Sequence, residues 1–507
     1  MSNNRVEWAI TSYAVNSSSC MLVPMYEAQA ETDRKYIIEN SDAKILVVAT
    51  EKLYMQMKDY VGKIGKLEKV ICFDAPEEKE YSYKRLMNGI HDKPLVPAGS
   101  PDSGDVCVII YTSGTSGKPK GVELTHMNIL SNMAAMNDLW HEEIEKKKGT
   151  ENREVLCFLP WSHIFGQTAE LHGVIGLGEK MAIAPNRDEL LSSCEILRPT
   201  QMAAVPILMN KIYDGVQNGL RDQPLRRQKI VKWAFGVARE RNHNLEFGKP
   251  VSFILEWKYK VIDKLIMSKI RAKIIGGKLT WLGSGAAALP MYVLHFFEDV
   301  GIPICEGYGL TETSPVVTSS IPGWSSRRLG CVGVPLKGIS LKILNPDATG
   351  ADDEFLPSDV DGEICVSGPN VMKGYRNNPE ANAESFFIAK SDGLRYFKTG
   401  DQGRMIENKF LKVTGRIKEQ YKLENGKYVV PSPIEDLITR SFAIHQAFIY
   451  GDNREFNIVL IVPELLELRK WAVRHKVLGA EMNSPLDELI SMPEIQKLIS
   501  MEVYWLI

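Results

Sequence analysis

Short apolar runs recur along this chain between longer amphipathic stretches. We interpret the runs as buried strands, and the clearest are Val106–Tyr111, Val155–Leu159, Met202–Val205, Leu279–Leu282 and Ile302–Cys305. Between the first two runs, Thr125–Trp140 has the pattern of an amphipathic helix, with Thr125 as its N-cap. Alternating strands and helices predict an α/β fold with largely buried strands, in which ligands bind where strands end.

The character of the sequence changes near Arg416. A short charged segment, GRIKEQYKLENGKYV, is followed by Pro431–Pro433 and then by a new helix–strand pattern. We therefore predict a large multi-sheet domain over residues 1–417 and a small α+β domain over residues 418–507.

Composition narrows the class of protein. The 507 residues are 44% hydrophobic with a formal net charge of −2, which suits a globular protein and gives no general reason to expect a nucleic acid partner. The eight cysteines have no CxxC pairing, which argues against a disulfide framework or a zinc site. No apolar run approaches the roughly 18 residues of a membrane span, so we expect a cytoplasmic protein or one held peripherally on an intracellular membrane.

One segment departs from this charge balance. Residues 221–278 contain fifteen Lys and Arg against five Asp and Glu, a local excess of +10. Five aromatic residues are interleaved with these bases, namely Trp233, Phe235, Phe253, Trp257 and Tyr259. Cations mixed with aromatics suit an anionic lipid surface, although a solvated basic face with core aromatics has the same pattern.

The most informative stretch is YTSGTSGKPKG at residues 111–121, where a predicted strand runs into a loop of glycines, hydroxyl residues and lysines. Glycines allow backbone N–H groups to turn toward an anion, and Lys118 or Lys120 can neutralise charge on a leaving pyrophosphate. The Walker phosphate-loop pattern does not fit, because Pro119 follows Lys118 and the first glycine lies at another distance. The loop is therefore predicted to bind a polyphosphate in a different way.

This stretch resembles the phosphate-loop signature of the adenylate-forming (AMP-binding) enzymes. Further motifs of that superfamily follow in its order: LPWSHIFGQ at 159–167, GSGAAALP at 283–290, EGYGLTETSP at 306–315, GEICVSGPNVMKGY at 362–375, KTGD at 398–401 and GRIKEQYKL at 415–423. The resemblance covers most of the chain and is greatest to the long-chain fatty acyl-CoA synthetases. It implies ATP-dependent activation of a long-chain fatty acid to acyl-AMP and transfer to CoA.

The resemblance also implies roles for individual residues. Thr311, Glu312, Lys118 and Lys120 would act at the ATP phosphates, with Glu312 holding Mg²⁺, while His163 would position the substrate. The remaining nucleotide-binding residues would be Thr112, Ser113, Gly114, Thr115, Ser116, Gly117, Gly285, Ala286, Ala287, Gly307, Tyr308, Gly309, Asp401 and Arg416. Among these, Tyr308 would stack on the adenine and Asp401 would accept the ribose hydroxyls. Lys418 matches the family's hinge between the two domains.

The prediction of the acyl substrate depends on a less specific resemblance. VPILMNKIYDGV at 205–216 is similar to the segment lining the fatty-acid tunnel of long-chain synthetases, and its aliphatic character does not suggest the tryptophan gate of some relatives. An acyl-acyl-carrier-protein synthetase remains the alternative enzyme. Acyl chain length, the acceptor thiol, the organelle and the oligomeric state stay open.

The resemblance starts partway into the family's first domain and stops before its C-terminal lysine. We expect a truncated gene product or splice form, or else a shortened protein. A non-catalytic remnant that binds nucleotide or acyl chains is therefore the alternative to a working ligase.

Overall fold

The computed structural model describes residues 1–90, 99–112, 118–145, 154–186, 189–285, 287–346, 355–439, 441–477, 479 and 481–506. The phosphate-loop residues Ser113, Gly114, Thr115, Ser116 and Gly117 lie outside this described part, as does Ala286.

The strands of the described residues are β1 Ile45–Val48, β2 Lys69–Cys72, β3 Val106–Thr112, β4 Lys120–Thr125, β5 Glu154–Cys157, β6 Lys180–Ile183, β7 Gln201–Ala204, β8 Trp281–Ser284, β9 Ile304–Gly309, β10 Val316–Ser319, β11 Val334–Pro335, β12 Ser340–Leu344, β13 Gly362–Ser367, β14 Gly374–Tyr375, β15 Phe386–Ile388, β16 Arg395–Ile406, β17 Phe410–Arg416, β18 Tyr421–Lys422, β19 Tyr428–Val429, β20 Ile444–Tyr450 and β21 Ile458–Pro463.

The α-helices are α1 Val6–Ser17, α2 Glu31–Asn40, α3 Glu51–Met57, α4 Tyr83–Asn88, α5 His126–Glu145, α6 Gly173–Gly176, α7 Leu190–Leu197, α8 Pro206–Arg221, α9 Leu225–Glu246, α10 Phe253–Ile262, α11 Ser268–Lys273, α12 Met291–Asp299, α13 Pro379–Ser385, α14 Pro431–Ile438, α15 Leu465–Arg474, α16 Leu486–Ser491 and α17 Pro493–Leu506. Two π-helical segments, Gly166–His172 and Asp263–Met267, lead into α6 and α11.

A seven-stranded sheet lies at the centre of the fold, in the order β11-β10-β9-β8-β7-β5-β6. Strands β9, β8, β7, β5 and β6 are parallel, and β10 and β11 are antiparallel additions at one edge. Because parallel strands point the same way, their carboxyl ends meet at one edge of the sheet. All five predicted strands are present, but the run predicted at Leu279–Leu282 begins at Trp281 and that at Ile302–Cys305 extends from Ile304 to Gly309.

The helix predicted at Thr125–Trp140 is α5, which extends to Glu145. Its start is fixed by a reciprocal pair of hydrogen bonds. The backbone N–H of Asn128 donates to the Thr125 hydroxyl at 3.2 Å, and the N–H of Thr125 donates to the Asn128 side-chain oxygen at 2.8 Å. The predicted N-cap at Thr125 is therefore confirmed.

The largest apolar core lies on the face of this sheet covered by α7, α8, α9, α10 and α12. It includes Leu282 and Ile304 from the strands together with Phe297 from α12, all nearly inaccessible to solvent. Among the described residues, no helix combines the length and the apolar character needed to cross a membrane.

Smaller sheets surround the strand ends. The β3–β4 hairpin pairs with β14, and a second sheet of order β12-β13-β16-β15 also carries β17. After β17 the chain makes a 3-10 turn at Ile417–Glu419 and continues into α14, the β20–β21 hairpin and α15–α17. Gln420 donates to the side chain of Gln402 on β16, so the segment after the turn remains attached to that sheet.

Candidate active site

The β3–β4 hairpin supports the predicted phosphate loop. Thr112 is the last residue of β3 and is paired in register with Lys120, the first residue of β4. Lys118 lies in the exposed turn just before β4. The hairpin thus holds Thr112 and Lys120 side by side at the two ends of the loop.

Lys120 and Glu312 meet at a tyrosine that the sequence reasoning did not single out. The Lys120 ammonium lies 5.0 Å from the centre of the Tyr375 ring, and the Tyr375 hydroxyl donates to Glu312 Oε1 at 2.9 Å. Tyr375 is buried at the end of β14. It closes the motif GEICVSGPNVMKGY, and its position at the end of a quoted motif was the one signal that could have identified it.

Glu312 is held in the 3-10 turn Thr311–Thr313, which directly follows β9. Its backbone carbonyl accepts the N–H of Met372 at 2.8 Å. Burial raises the pKa of the Glu312 carboxyl, with a further rise from the charge of Asp401, while hydrogen bonds and the charge of Lys120 act in the opposite direction. A nearby cation would therefore stabilise the ionised form of this carboxyl.

Asp401 is the centre of a second polar group. It is buried on β16, where the Tyr308 hydroxyl donates to Oδ2 at 2.8 Å and Arg416 Nε lies 3.2 Å from Oδ1. Asp401 and Arg416 are direct partners across β16 and β17. Desolvation raises the pKa of Asp401, and the Tyr308 hydrogen bond and Arg416 partly offset the rise. The three predicted nucleotide-binding residues are therefore in contact.

The glycines predicted to bind the nucleotide differ in their surroundings. A Cβ on Gly285 would lie 3.3 Å from the ring of Phe165, and one on Gly307 would lie 3.2 Å from the carbonyl oxygen of Thr318. A Cβ on Gly309 would collide with the carbonyl oxygen of Pro315, so this glycine allows β9 and the return to β10 to approach closely. Ala287 is exposed.

His163 precedes the π-helical segment Gly166–His172. Its Nδ1 accepts the backbone N–H of Phe165 at 3.2 Å, and burial lowers the pKa of its imidazole. The lowered pKa and this hydrogen bond both favour the neutral ring with Nδ1 as the acceptor and Nε2 as the protonated nitrogen.

An apolar cavity of about 200 Å³ lies beside the central sheet, under α5 and the π-helical segment. At the carboxyl ends of the strands it is lined by Phe165, Ser284 and Gly307, and at their amino ends by Trp140 and Trp281. The segment 205–216, predicted to line the acyl tunnel, contributes no residue to the described lining. It lies in α8 and at its start, where Leu208, Met209 and Ile212 pack into the core on the other face of the sheet.

A buried carboxyl forms part of the cavity wall. Glu170, on the π-helical segment, accepts the backbone N–H groups of Phe158 at 3.2 Å and Leu159 at 3.0 Å. Burial raises its pKa to about 8, and the two hydrogen bonds act against the rise. Sequence reasoning missed this residue because its partners are backbone groups, which leave no pattern of residue types.

Comparison with known proteins defines the class. The AMP-binding enzyme family matches residues 1–376, and the AMP-binding enzyme C-terminal domain matches residues 418–478. The chain belongs to the AMP-binding enzyme family. The predicted family and the α/β fold with a large N-terminal and a small C-terminal domain are thereby confirmed.

Three relatives of this chain are named as long-chain fatty acid–CoA ligases or long-chain acyl-CoA synthetases. The chain is 32% identical to long-chain-fatty-acid--CoA ligase 5 of Rattus norvegicus, covering 94% of this chain and 68% of that protein. It is 30% identical to long-chain-fatty-acid--CoA ligase FadD15 of Mycobacterium bovis (95% and 75%) and 28% identical to the peroxisomal long chain acyl-CoA synthetase 7 of Arabidopsis thaliana (95% and 67%). The chain thus spans about two thirds to three quarters of these relatives.

Solved structures share the fold. ATP-bound MatB from Rhodopseudomonas palustris has a TM-score of 0.66 at 22% identity, over 91% of this chain and 76% of that one. The o-succinylbenzoate CoA synthetase of Bacillus subtilis, in complex with its acyl-adenylate intermediate, has a TM-score of 0.64 at 20% identity, over 94% and 81%.

Proposed function

We propose that this protein is an ATP-dependent long-chain fatty acid–CoA ligase. The fatty acid carboxylate attacks the α-phosphorus of ATP to give acyl-AMP and pyrophosphate, and the CoA thiol then displaces AMP to give acyl-CoA. The observation that carries the proposal is the apolar cavity, which ends at Gly307 on β9, the strand that leads directly to Glu312. The names of the curated relatives support the same substrate class.

The reaction requires that the substrates be positioned accurately. It needs no nucleophile from the protein, because the fatty acid carboxylate itself attacks the α-phosphorus. Lys120 and Lys118 would neutralise the departing pyrophosphate, and Asp401 would accept the ribose hydroxyls in place of one of its present donors. His163, neutral and next to Phe165 of the cavity wall, would orient the acyl carboxylate through Nε2. Tyr308, whose hydroxyl is already bonded to Asp401, would present its ring to the base.

The residues present suit Mg²⁺. It binds proteins through one or two carboxylates and completes its coordination with substrate phosphate oxygens and water. Glu312 supplies one buried carboxylate, and its pKa, raised by burial, would fall beside a cation. When bound, Mg²⁺ neutralises charge that develops on the phosphates.

Pyrophosphate exchange tests the proposal, because it needs adenylation but no acceptor thiol. The chain should exchange labelled pyrophosphate into ATP when palmitate is present, and a Lys118→Ala/Lys120→Ala variant should lose the exchange. The matched control, Lys52→Ala/Lys58→Ala, removes two exposed lysines far from the loop in sequence and should retain it. Equal background exchange in all three proteins would mean that the chain does not catalyse adenylation and is a non-catalytic binding protein.

A second arm identifies the acceptor. With palmitate, ATP and CoA, palmitoyl-CoA should accumulate. Exchange without palmitoyl-CoA, but with acylation of a holo acyl-carrier protein, would favour the carrier-protein synthetase.

We further propose that this enzyme meets its substrate at an anionic membrane, through what we call the α9–α10 surface. This surface consists of exposed apolar side chains on α9, α10 and the π-helical turn after α10: Leu225, Ile230, Trp233, Phe253, Ile254, Trp257, Val261 and Leu265. Phe253 is 86% exposed and Trp257 is 60% exposed, and both lie on one stripe of α10 with Val261. Large apolar side chains grouped at the surface typically mark a contact with a partner or a membrane.

The aromatics of the basic segment fall into two groups. Trp233, Phe253 and Trp257 face solvent, whereas Phe235 and Tyr259 pack against the core. Among the described residues, ion pairs hold Arg239 with Asp299, Arg241 with Glu256 and Arg271 with Asp263. The exposed lysines beside the apolar stripe, Lys258, Lys260, Lys264 and Lys269, give the surface its positive charge.

Co-sedimentation with phosphatidylserine vesicles tests this contact. Each suitably placed lysine adds about 1 kcal/mol, so binding should be present at low salt and fall as salt screens the charges. Reversing the four lysines to Glu should abolish binding, and Phe253→Ser/Trp257→Ser should weaken it at both salt concentrations. Reversing Lys52, Lys58, Lys63 and Lys79, also exposed, makes the same change in net charge elsewhere. If both sets of charge reversals reduce vesicle binding equally, binding depends only on net charge, and the α9–α10 surface is not a specific contact.

A further inference from the structure

The strand wall of the apolar cavity is built from alternate residues. On β7, β8 and β9 the cavity is lined mainly by alternate positions, Gln201, Ala203, Trp281, Gly283, Cys305 and Gly307, and Met202 and Ser284 also border it. Leu282, between Trp281 and Gly283, and Ile304, next to Cys305, face the core on the other side of the sheet. Toward the carboxyl ends the cavity-facing residues are small and leave a groove. That groove stops at the first residue of β8, the large indole of Trp281.

A second tryptophan reaches the same place from the opposite wall. Met133, Met136, Asn137 and Trp140 line the cavity from one face of α5, as the three- and four-residue spacing requires. The ring centres of Trp140 and Trp281 are 4.4 Å apart, with the planes tilted by 39°. The ring of Trp281 also extends over Gly283, where a Cβ would lie 3.3 Å from it. Together the two indoles fill the groove between α5 and the sheet.

The lining changes character beside this pair. Gln201 Nε2 donates to Glu179 Oε2 at 2.6 Å, and both residues border the cavity at its amino end. A methylene group that passed the indoles would therefore meet a polar pair, where it gains little from burial.

We propose that the Trp140–Trp281 pair sets the upper limit of acyl chain length in this enzyme. The inference rests on the proposed function, because it takes the cavity to hold the acyl chain with its carboxylate near Gly307. The methyl end then points along β8 toward Trp281, about 10 Å from Ser284 at roughly 3.3 Å per residue. An acyl chain just long enough to reach the indoles buries all of its methylene groups, whereas a longer chain leaves its additional methylene groups unburied.

Chain-length profiles of three proteins test the inference: the full chain as it stands, Trp281→Ala and Trp140→Ala. Initial rates of pyrophosphate release would be measured with saturated acids from butyrate to behenate. In both variants the best substrate should become longer by two or more methylenes. Each newly buried methylene should raise kcat/KM about fourfold relative to the unmodified chain, the equivalent of about 0.8 kcal/mol. Butyrate, too short to reach the pair, should keep its kcat/KM within about twofold.

Three further variants guard against a trivial result. Gly283→Ala adds a methyl group toward Trp281 and should shift the preference to shorter chains, whereas Trp281→Phe should give a smaller shift than the alanine variant and keeps an aromatic ring for folding. Trp471→Ala, which removes an indole stacked on His475 at 4.3 Å in α15, should leave the profile unchanged.

The outcomes separate the two proposals. If the unmodified chain activates fatty acids but its profile survives both tryptophan substitutions, the limit lies elsewhere and the ligase assignment stands. If it activates none of the acids, the ligase assignment fails and the inference fails with it.

Discussion

Replacing Glu170 by glutamine gives a test of the structure that needs no substrate. The glutamate carboxyl is buried in the cavity wall and accepts two backbone N–H groups, from Phe158 and Leu159. Glutamine has nearly the same shape and no charge, but its amide nitrogen cannot accept one of those two N–H groups. The substitution therefore removes an ionisation and leaves a buried donor unpaired, and the two effects differ in their dependence on pH.

The magnitude follows from the pKa of Glu170, which burial raises from 4.5 to about 8. Below pH 4.5 the carboxyl is protonated in both the folded and the unfolded chain. Between 4.5 and 8 the folded state holds one proton more than the unfolded state, so the stability contributed by Glu170 falls as pH rises. The full loss is at most about 5 kcal/mol, at 1.36 kcal/mol per pH unit. The unpaired N–H in Glu170→Gln costs about 1–3 kcal/mol at every pH.

Urea unfolding, monitored by tryptophan fluorescence, would measure both the loss of the ionisation and the cost of the unpaired N–H. At pH 5 the variant should be less stable than the unmodified protein, and at pH 8.5 the difference should shrink or reverse in sign. Glu78→Gln, at an exposed glutamate, controls for the loss of one charge. A difference in unfolding free energy that is the same at both pH values would refute the raised pKa of Glu170.

Three further predictions concern other parts of the molecule. Glu312→Ala should abolish Mg²⁺-dependent adenylation in the exchange assay while leaving the thermal unfolding midpoint within a few degrees, and unchanged exchange would remove Glu312 from the site. Lys418→Pro fixes the backbone at the proposed hinge, so it should slow thioester formation far more than adenylation in single-turnover kinetics, and equal rates would contradict the hinge. Arg327→Met removes a buried guanidinium and leaves Glu298, whose side chain is 11% exposed, without its ion-pair partner at 2.5 Å, so it should lower the unfolding free energy by about 3–5 kcal/mol, whereas a loss below 1 kcal/mol would mean that water replaces the pair.

The fold could be predicted from local pattern because each buried parallel strand contains a run of apolar residues. The errors of prediction lie at the ends of strands, because pairing with a neighbouring strand decides how far each strand extends. The strand predicted at Leu279–Leu282 begins two residues late, and Gly283 and Ser284 belong to it because they pair with Ala203 and Ala204 of β7. Neither glycine nor serine favours a strand by itself, so only the tertiary partner extends β8 this far.

The site was predictable where chemistry is carried by a residue type within a motif. Asp401 and Arg416 were predicted separately and are cross-strand partners, which follows from the hairpin they share. The segment 205–216, predicted to line the acyl tunnel, does not line this cavity, since an aliphatic helix has the same pattern whether it lines a groove or fills a core. Its far end depends on Trp140 and Trp281, which are distant in sequence and meet only when α5 packs on β8.

Strand β9 connects the apolar cavity to the polar groups of the candidate site. Its alternation turns Cys305 and Gly307 toward the cavity, and Tyr308, on the opposite face, reaches Asp401. The chain then turns at once and presents Glu312 to Tyr375. An acyl chain lying along Gly307 would therefore have its carboxylate a few residues from both polar groups without any rearrangement of the sheet. Because one buried strand fixes all of these distances, substitutions that loosen its pairing with β10 should impair acyl and nucleotide binding together.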